Sequence, residues 1–197
     1  MHRPNAASPT LWAGLAVLLG LFLLLWGYGR NCPRLPDPPP AVFAAADLNA
    51  NGRTESYRLD KHTLWVAEEG MPLWHTPPEW QVQEFLLADI DGRGKPELLL
   101  LVWKQGSFGR SRPFWQESRD YSWGCHLFLL QLQRDRFHPF WFSSALPSGI
   151  SRLQTKTAPN APPRLVVVVQ GGGWQSWQWD GWGFKCLDSA LPGHGLE

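Results

Sequence analysis

The sequence predicts a mainly β protein: three propeller-blade-like antiparallel units, together a partial or open β-propeller, behind an N-terminal transmembrane helix. Three observations carry that expectation. Two acidic loops of the same pattern, starting at Asp47 and Asp89, recur about 42 residues apart, a blade-sized period. Short apolar runs rich in β-favouring residues flank each loop. The 197 residues include 13 tryptophans, 19 glycines and 18 prolines, which suits short strands joined by many turns better than long helices.

Residues 1–29 read as the anchor. No residue from Pro4 to Gly29 is charged, and Leu11 to Trp26 is almost wholly apolar. At 1.5 Å per residue, about 18–20 such residues cross a hydrocarbon core of roughly 30 Å. Ser8 and Pro9 read as N-cap and first helical position. Trp12 stands near one end and Trp26 with Tyr28 near the other, where aromatic rings favour the membrane interfaces. A cleaved signal peptide is the competing reading, with Gly27-Tyr28-Gly29 at the cleavage offset. Arg3 against Arg30 and Arg34 gives little charge asymmetry. The chain is expected at the cell membrane as a single-pass protein, its C-terminal domain extracytoplasmic, because calcium-type loops work where calcium is plentiful. Residues 30–41 carry Pro33, Pro36, Pro38, Pro39 and Pro40 and read as an extended polyproline linker.

The β-domain is expected over residues 42–197, in units near 42–80, 81–148 and 149–190. Val42-Phe-Ala-Ala-Ala-Asp47 and Phe85-Leu-Leu-Ala-Asp89 are apolar runs ending in Asp. Each enters a glycine-containing loop that ends in Glu before a second strand, Ser56 to Leu59 or Leu98 to Val102. Leu165 to Val169 followed by Gly171-Gly-Gly matches Leu98 to Val102 followed by Lys104-Gln-Gly. The stretch Lys156 to Arg164 reads as a third loop of the same length that has lost its acids. Trp74-His-Thr-Pro and Trp141-Phe-Ser-Ser match as strand ends.

The loop chemistry points to calcium, which wants six to eight hard oxygens. Asp47, Asn49 and Asn51 alternate, so three side-chain oxygens can turn inward. Gly52 permits a sharp turn, the carbonyl of Arg53 adds an oxygen, and Glu55 closes the shell. The second loop offers Asp89, Asp91 and Glu97, but Arg93 stands where a donor belongs. The competing reading is an Asx turn, in which the same oxygens accept backbone N–H groups without a metal. An EF-hand is excluded, because its twelfth position is Arg58 and the flanks are strand-like. The pattern resembles the FG-GAP/VCBS repeats of integrin-like β-propellers, in a membrane-anchored bacterial form. The first loop matches that form at every acid, amide and glycine, and the second departs at Arg93. The resemblance implies calcium and a binding or scaffold role.

Two stretches offer a ligand surface. Lys104 to Asp120 is long for a hairpin connection, and its cations outnumber its acids. Lys104, Arg110, Arg112 and Trp115 could grip an anionic or carbohydrate polymer, or the loop could simply cover a sheet edge. Trp177 and Trp179 alternate on one strand face, as a carbohydrate platform or as packing between units. A net charge of +1 without a basic arm excludes a nucleic-acid partner. Cys125 and Cys186 are either bridged or free. No His, Cys or Ser arrangement reads as catalytic. The expected function is a non-catalytic binding or scaffold module whose partner is an envelope protein or a polymer. An accessory subunit of an envelope-polymer synthesis or export complex is the alternative. A polysaccharide-acting enzyme built on Asp89, Asp91 and Glu97 is the remote third.

Overall fold

A computed structural model describes residues 36–108, 114, 120–158 and 161–190. The expected anchor lies outside these residues. Among the described residues no helix is long and apolar enough to cross a membrane. Residues 36–41 of the linker form no regular element, and the Asp37 carbonyl accepts the Gln83 side-chain amide at 3.2 Å.

Among the described residues, twelve strands make three antiparallel four-stranded sheets, each in simple sequence order. The first holds β1 (Val42–Ala46), β2 (Glu55–Asp60), β3 (Thr63–Glu68) and β4 (Met71–His75). The second holds β5 (Gln81–Ala88), β6 (Glu97–Gln105), β7 (Trp123–Gln133) and β8 (Arg136–Phe142). The third holds β9 (Ile150–Ala158), β10 (Ala161–Val169), β11 (Trp174–Trp179) and β12 (Phe184–Ala190). Each sheet thus falls inside one of the three sequence units. Lys61 and His62 have positive φ, as do Glu69 and Gly70. Those pairs close the two hairpins of the first sheet in the left-handed geometry that matches strand twist.

Strand composition decides how the sheets stack. In β2 and β3 buried and exposed residues alternate, the mark of a sheet with one covered face. In β6 every residue from Glu97 to Trp103 is buried, so that strand is covered on both. Leu98, Leu100 and Val102 join Tyr57, Leu59, Leu64 and Val66 of the first sheet in one core. Leu99, Leu101 and Trp103 join Ile150, Leu153, Leu165 and Val167 of the third sheet in the other. Strand β7 divides likewise, Phe128 and Leu130 to the first core, Leu127 and Leu129 to the second. The second sheet is the middle layer.

Where the third strand pairs with the fourth, every sheet carries a register shift. In the first two sheets the shift coincides with a proline on the outer strand, Pro72 opposite Ala67 and Pro139 opposite Leu130. Such bulges accommodate a residue with no N–H to give.

One expectation is corrected. Lys156 to Arg164 is not a loop of the Asp47 type, because Lys156 pairs with Arg164 and Ala158 with Ala161 as β9 and β10. The segment has neither the acids nor the glycine that hold a broad turn open. Two of its three prolines, Pro162 and Pro163, fall in the register shift between Ala161 and Arg164.

Glu84 ties the middle sheet to the third: its carboxylate accepts the Leu153 N–H at 2.6 Å. Burial pushes this carboxyl above its ordinary value of 4.5, opposed by that hydrogen bond and by the Arg152 charge. A raised folded-state value means a contribution to stability that is complete below the unfolded value and lost as pH rises through the folded one. Glu84→Gln keeps an acceptor without the charge. Its stability relative to wild type, from urea titrations, is expected to grow from pH 4 to pH 7 (roughly the ionisation range of a buried carboxyl). A gain that grows instead as pH falls would show that the charge stabilises the fold.

Candidate functional site

The two Asp loops join β1 to β2 and β5 to β6, and four hydrogen bonds of each correspond; the Arg53 N–H to the Asn51 side-chain oxygen at 2.7 Å has no counterpart, since Arg93 offers no acceptor. Asp47 accepts the N–H groups of Asn51 at 3.1 Å and Gly52 at 2.8 Å. Asp89 accepts those of Arg93 at 3.0 Å and Gly94 at 2.8 Å. Asn49 and Asp91, two residues on, each accept the same Asn51 or Arg93 N–H at 3.0 Å. The closing glutamate then reaches back: Glu55 accepts the Leu48 N–H at 2.8 Å and Glu97 the Ile90 N–H at 2.9 Å. These are the bonds of an Asx turn, and they set the loop by themselves.

Backbone conformation repeats with them. Gly52 and Gly94 occupy equivalent left-handed positions at φ +83° and +81°. Two residues earlier Gly92 lies at +76° and Ala50 at +58°. Leu48 and Ile90 drop into the first and second core respectively, so each loop is pinned by a side chain beside its start.

The first loop is held further by its neighbours. The Asn51 amide donates to Glu68 at 2.7 Å, and Arg53 pairs with Glu68 at 3.0 Å and Glu69 at 3.3 Å. Asn49 donates to the Arg134 carbonyl in the β7–β8 turn at 2.7 Å. Glu55 is fully buried, and its Oε1 has no hydrogen-bond partner. Tyr57 hydroxyl lies 3.5 Å from the other oxygen. Burial, then the Glu55 charge, holds that phenol strongly protonated.

In the second loop Asp89, Asp91 and Glu97 bring one carboxylate oxygen each within 4.8 Å of one another. Burial raises the Glu97 carboxyl above the ordinary range; the Ile90 N–H opposes this, and the Asp91 and Asp89 charges add to it. Arg93 sits at the position of Asn51. Its Nε lies 3.2 Å from Asp91 Oδ2, an ion pair outside hydrogen-bond geometry. Hard-cation chemistry fits these donors, since an oxygen that accepts one amide keeps a second lone pair and Glu55 Oε1 accepts none. In the second loop an internal guanidinium already supplies the counter-charge.

The remaining expected ligand residues divide. Arg110, Arg112 and Trp115 lie outside the described residues. Lys104 turns inward: its ammonium donates to the carbonyls of Gln105, Gly106 and Phe108 at 3.2, 3.2 and 2.9 Å. Burial lowers its affinity for a proton. Asp120 ties the far end of the long connection, accepting both the hydroxyl and the backbone N–H of Ser107 and of Ser122. Those bonds, Ser107 hydroxyl first, hold its carboxyl far below the usual range. His126 is fully buried, its two ring nitrogens each 3.1 Å from a carbonyl, of Ser143 and of Gly106. Trp179 packs on Phe140, Trp141 and Phe184 at ring separations of 5.4, 5.8 and 5.5 Å. Trp177 gives its indole N–H to Gln175 at 3.0 Å. Cys125 is a buried thiol and Cys186 an exposed one, with no bridge between them.

Sequence reading missed a second repeated device. Leu64 donates its N–H to the Thr76 hydroxyl at 3.1 Å while its carbonyl accepts the Thr76 N–H at 3.0 Å. Leu127 and Ser143 make the same pair at 2.9 Å each. The matching strand ends Trp74-His-Thr and Trp141-Phe-Ser hold the signal, a hydroxyl two residues after the tryptophan.

No protein-family profile matches the chain, and comparison with curated proteins and with solved structures found no match.

Two outcomes follow from the loop geometry. Glu55→Ala strands the Leu48 N–H in the interior and is expected to cost about 1–3 kcal/mol, while Glu55→Gln recovers part of it; denaturant unfolding of the pair measures this. Ala50→Gly relieves the left-handed conformation and is expected to stabilise by about 1 kcal/mol, read as a raised midpoint in the same titration.

Proposed function

We propose that the chain is a non-catalytic binding or scaffold module, held at the cell membrane by its N-terminal segment with the β-domain outside the cytoplasm. In this reading the three sheets are blades of a partial or open β-propeller, and the Asp loops take calcium. The observation that carries it is the loop frame made twice from different residues, each time closed by a buried glutamate. A frame that returns its oxygens to one small volume suits a spherical ion. In the first loop Asp47, Asn49, Asn51, Glu55 and the carbonyl of Arg53 would hold calcium; in the second, Asp89, Asp91 and Glu97. Bound there, the ion would supply cross-linking of each turn and no reaction chemistry. The FG-GAP/VCBS resemblance of Asp47 to Glu55 supports the same reading.

The acids also suit a cation better than a glycosidase. Carboxyl groups that act on a glycosidic bond stand about 5–5.5 Å apart in retaining enzymes and roughly 6.5–9.5 Å in inverting ones. Asp89, Asp91 and Glu97 each turn one oxygen to within 4.8 Å of the others, and all three already accept backbone N–H groups of their own loop.

The outer face of the first sheet favours a second reading, an accessory subunit completed by another envelope protein. Phe43, Arg58, Trp65 and His75 form one cross-strand row there. Phe43 is 70 % and Trp65 49 % exposed, large apolar groups that a neighbouring blade would cover. A stoichiometric partner co-purifying with the tethered chain, and lost on Trp65→Ser, distinguishes this reading from the first.

Calcium addition is expected to raise the melting temperature of the full chain, by the equivalent of about 2.7 kcal/mol at a hundredfold excess over Kd. Asp47→Ala with Glu55→Ala should abolish most of that increase. Arg93→Asn, which restores an oxygen and removes the guanidinium, should enlarge it. An equal increase in wild type and in the double variant would sink the assignment.

A further inference from the structure

The seam between the second and third sheets carries a groove of about 570 Å³, within the usual range of small-ligand clefts. Its walls come from the end of β8, the chain just after it, and β11 with β12. Trp141, Trp177, Trp182 and Phe184 line it together with Gln175 and Ser144, and none of the described lining residues is charged.

The exposed aromatic there is Trp182, 81 % accessible, in the turn between β11 and β12. That turn closes through the Asp180 N–H to the Gly183 carbonyl at 2.8 Å. Gly181 lies at φ +80°, and Trp141 lies against Gly183, 3.6 Å from where a Cβ would stand. Trp182 is therefore presented on a tight turn that leans on a second tryptophan. Trp177 is fixed by its bond to the Gln175 carbonyl oxygen, which leaves the Gln175 amide hydrogens for a ligand. Trp179, by contrast, is consumed by its packing on Phe140, Trp141 and Phe184.

The geometry points to a binding site for a neutral glycan in this groove, with Trp182 as its principal contact. The inference rests on the reading of the chain as a binding module and names the ligand class. A pyranose ring has an apolar C–H face, which complements the negative face of an indole, and hydroxyls that need the Gln175 amide and Ser144. An anionic polymer finds no cation among the described residues of the lining. A hydrocarbon chain, which has no acceptor, would leave the Gln175 amide unsatisfied.

Cys186 also lines the groove and reports on it. Its thiol is exposed, whereas Cys125 is buried and burial pushes its thiol up to about 11. The test uses the full chain carrying Cys32→Ser, kept in a detergent without a sugar head group. Tetramers of β-1,4-linked glucose and of N-acetylglucosamine are the probes, with tetragalacturonic acid as the charged control. At least one neutral tetramer is expected to bind by calorimetry and to slow alkylation of Cys186, while the acidic one does neither. Trp182→Ala should lower that affinity about tenfold or more with an unchanged melting temperature, and Trp182→Phe should recover part of it. Failure of both neutral tetramers to bind, equal protection by the acidic tetramer, or full affinity in Trp182→Ala would each overturn the site. Calcium stabilisation without glycan binding would remove this inference alone. Glycan binding without calcium stabilisation would remove the metal assignment and leave the groove.

Discussion

A sheet that is apolar on both faces cannot stand in water, and the rest of the domain follows from that. Strand β6 sends Leu98, Leu100 and Val102 one way and Leu99, Leu101 and Trp103 the other. Each such side chain fully buried contributes about 1.5–3 kcal/mol, but only if both faces are covered. The first and third sheets are those covers. Their far faces end the stack, with exposed Arg58 beside Phe43 and Trp65 on one side and exposed Arg164 opposite Lys156 on the other. Three layers are the smallest arrangement that satisfies the middle one.

The Asp loops sit at the corners of this stack and join it by both side chain and backbone. Leu48 and Ile90 enter opposite cores, and the glutamate that accepts each of their N–H groups begins the next strand. A corner built this way fixes the register of β1 on β2 and of β5 on β6. The same geometry leaves carboxylate oxygens pointing at one place, so the feature that shapes the turn also shapes the proposed ion site. Arg93 shows the two roles separating: its backbone N–H does the work of Asn51, while its side chain occupies the charge balance.

Much of this was legible in the residues. The Asp-x-Asx-x-x-Gly spacing and the apolar runs beside it located two corners and three strand groups, because turn chemistry and period-2 burial are local properties. What was not legible was long-range. Leu98 to Val102 reads as buried, yet nothing local says that its faces belong to different cores. Lys156 to Arg164 kept the right length for a loop, but length does not hold a turn open, and the chain pairs instead. The alternation of Trp177 and Trp179 marked an aromatic strand without telling which ring is packed; the turn residue Trp182, flanked by glycines, is the one left facing solvent. Lys104 read as a free cation and proved to be a tie for three carbonyls, since a side chain's partners depend on where the following residues travel. The Thr76 and Ser143 clasps bridge 12 and 16 positions, beyond any pattern a local window can hold.

The bulges opposite the outer strands bear on how such a chain survives at high concentration. Three separate four-stranded sheets present several bare strand margins, and a straight, unpaired margin is a template for edge-to-edge aggregation. Strands β4 and β8 carry Pro72 and Pro139 at the point where their pairing is shifted. An incoming strand would meet a margin bent by its bulge rather than a straight ladder. These prolines therefore act as guards for solubility, distinct from anything the molecule binds, and they explain why a proline can be fitting in the outermost strand of each of two sheets.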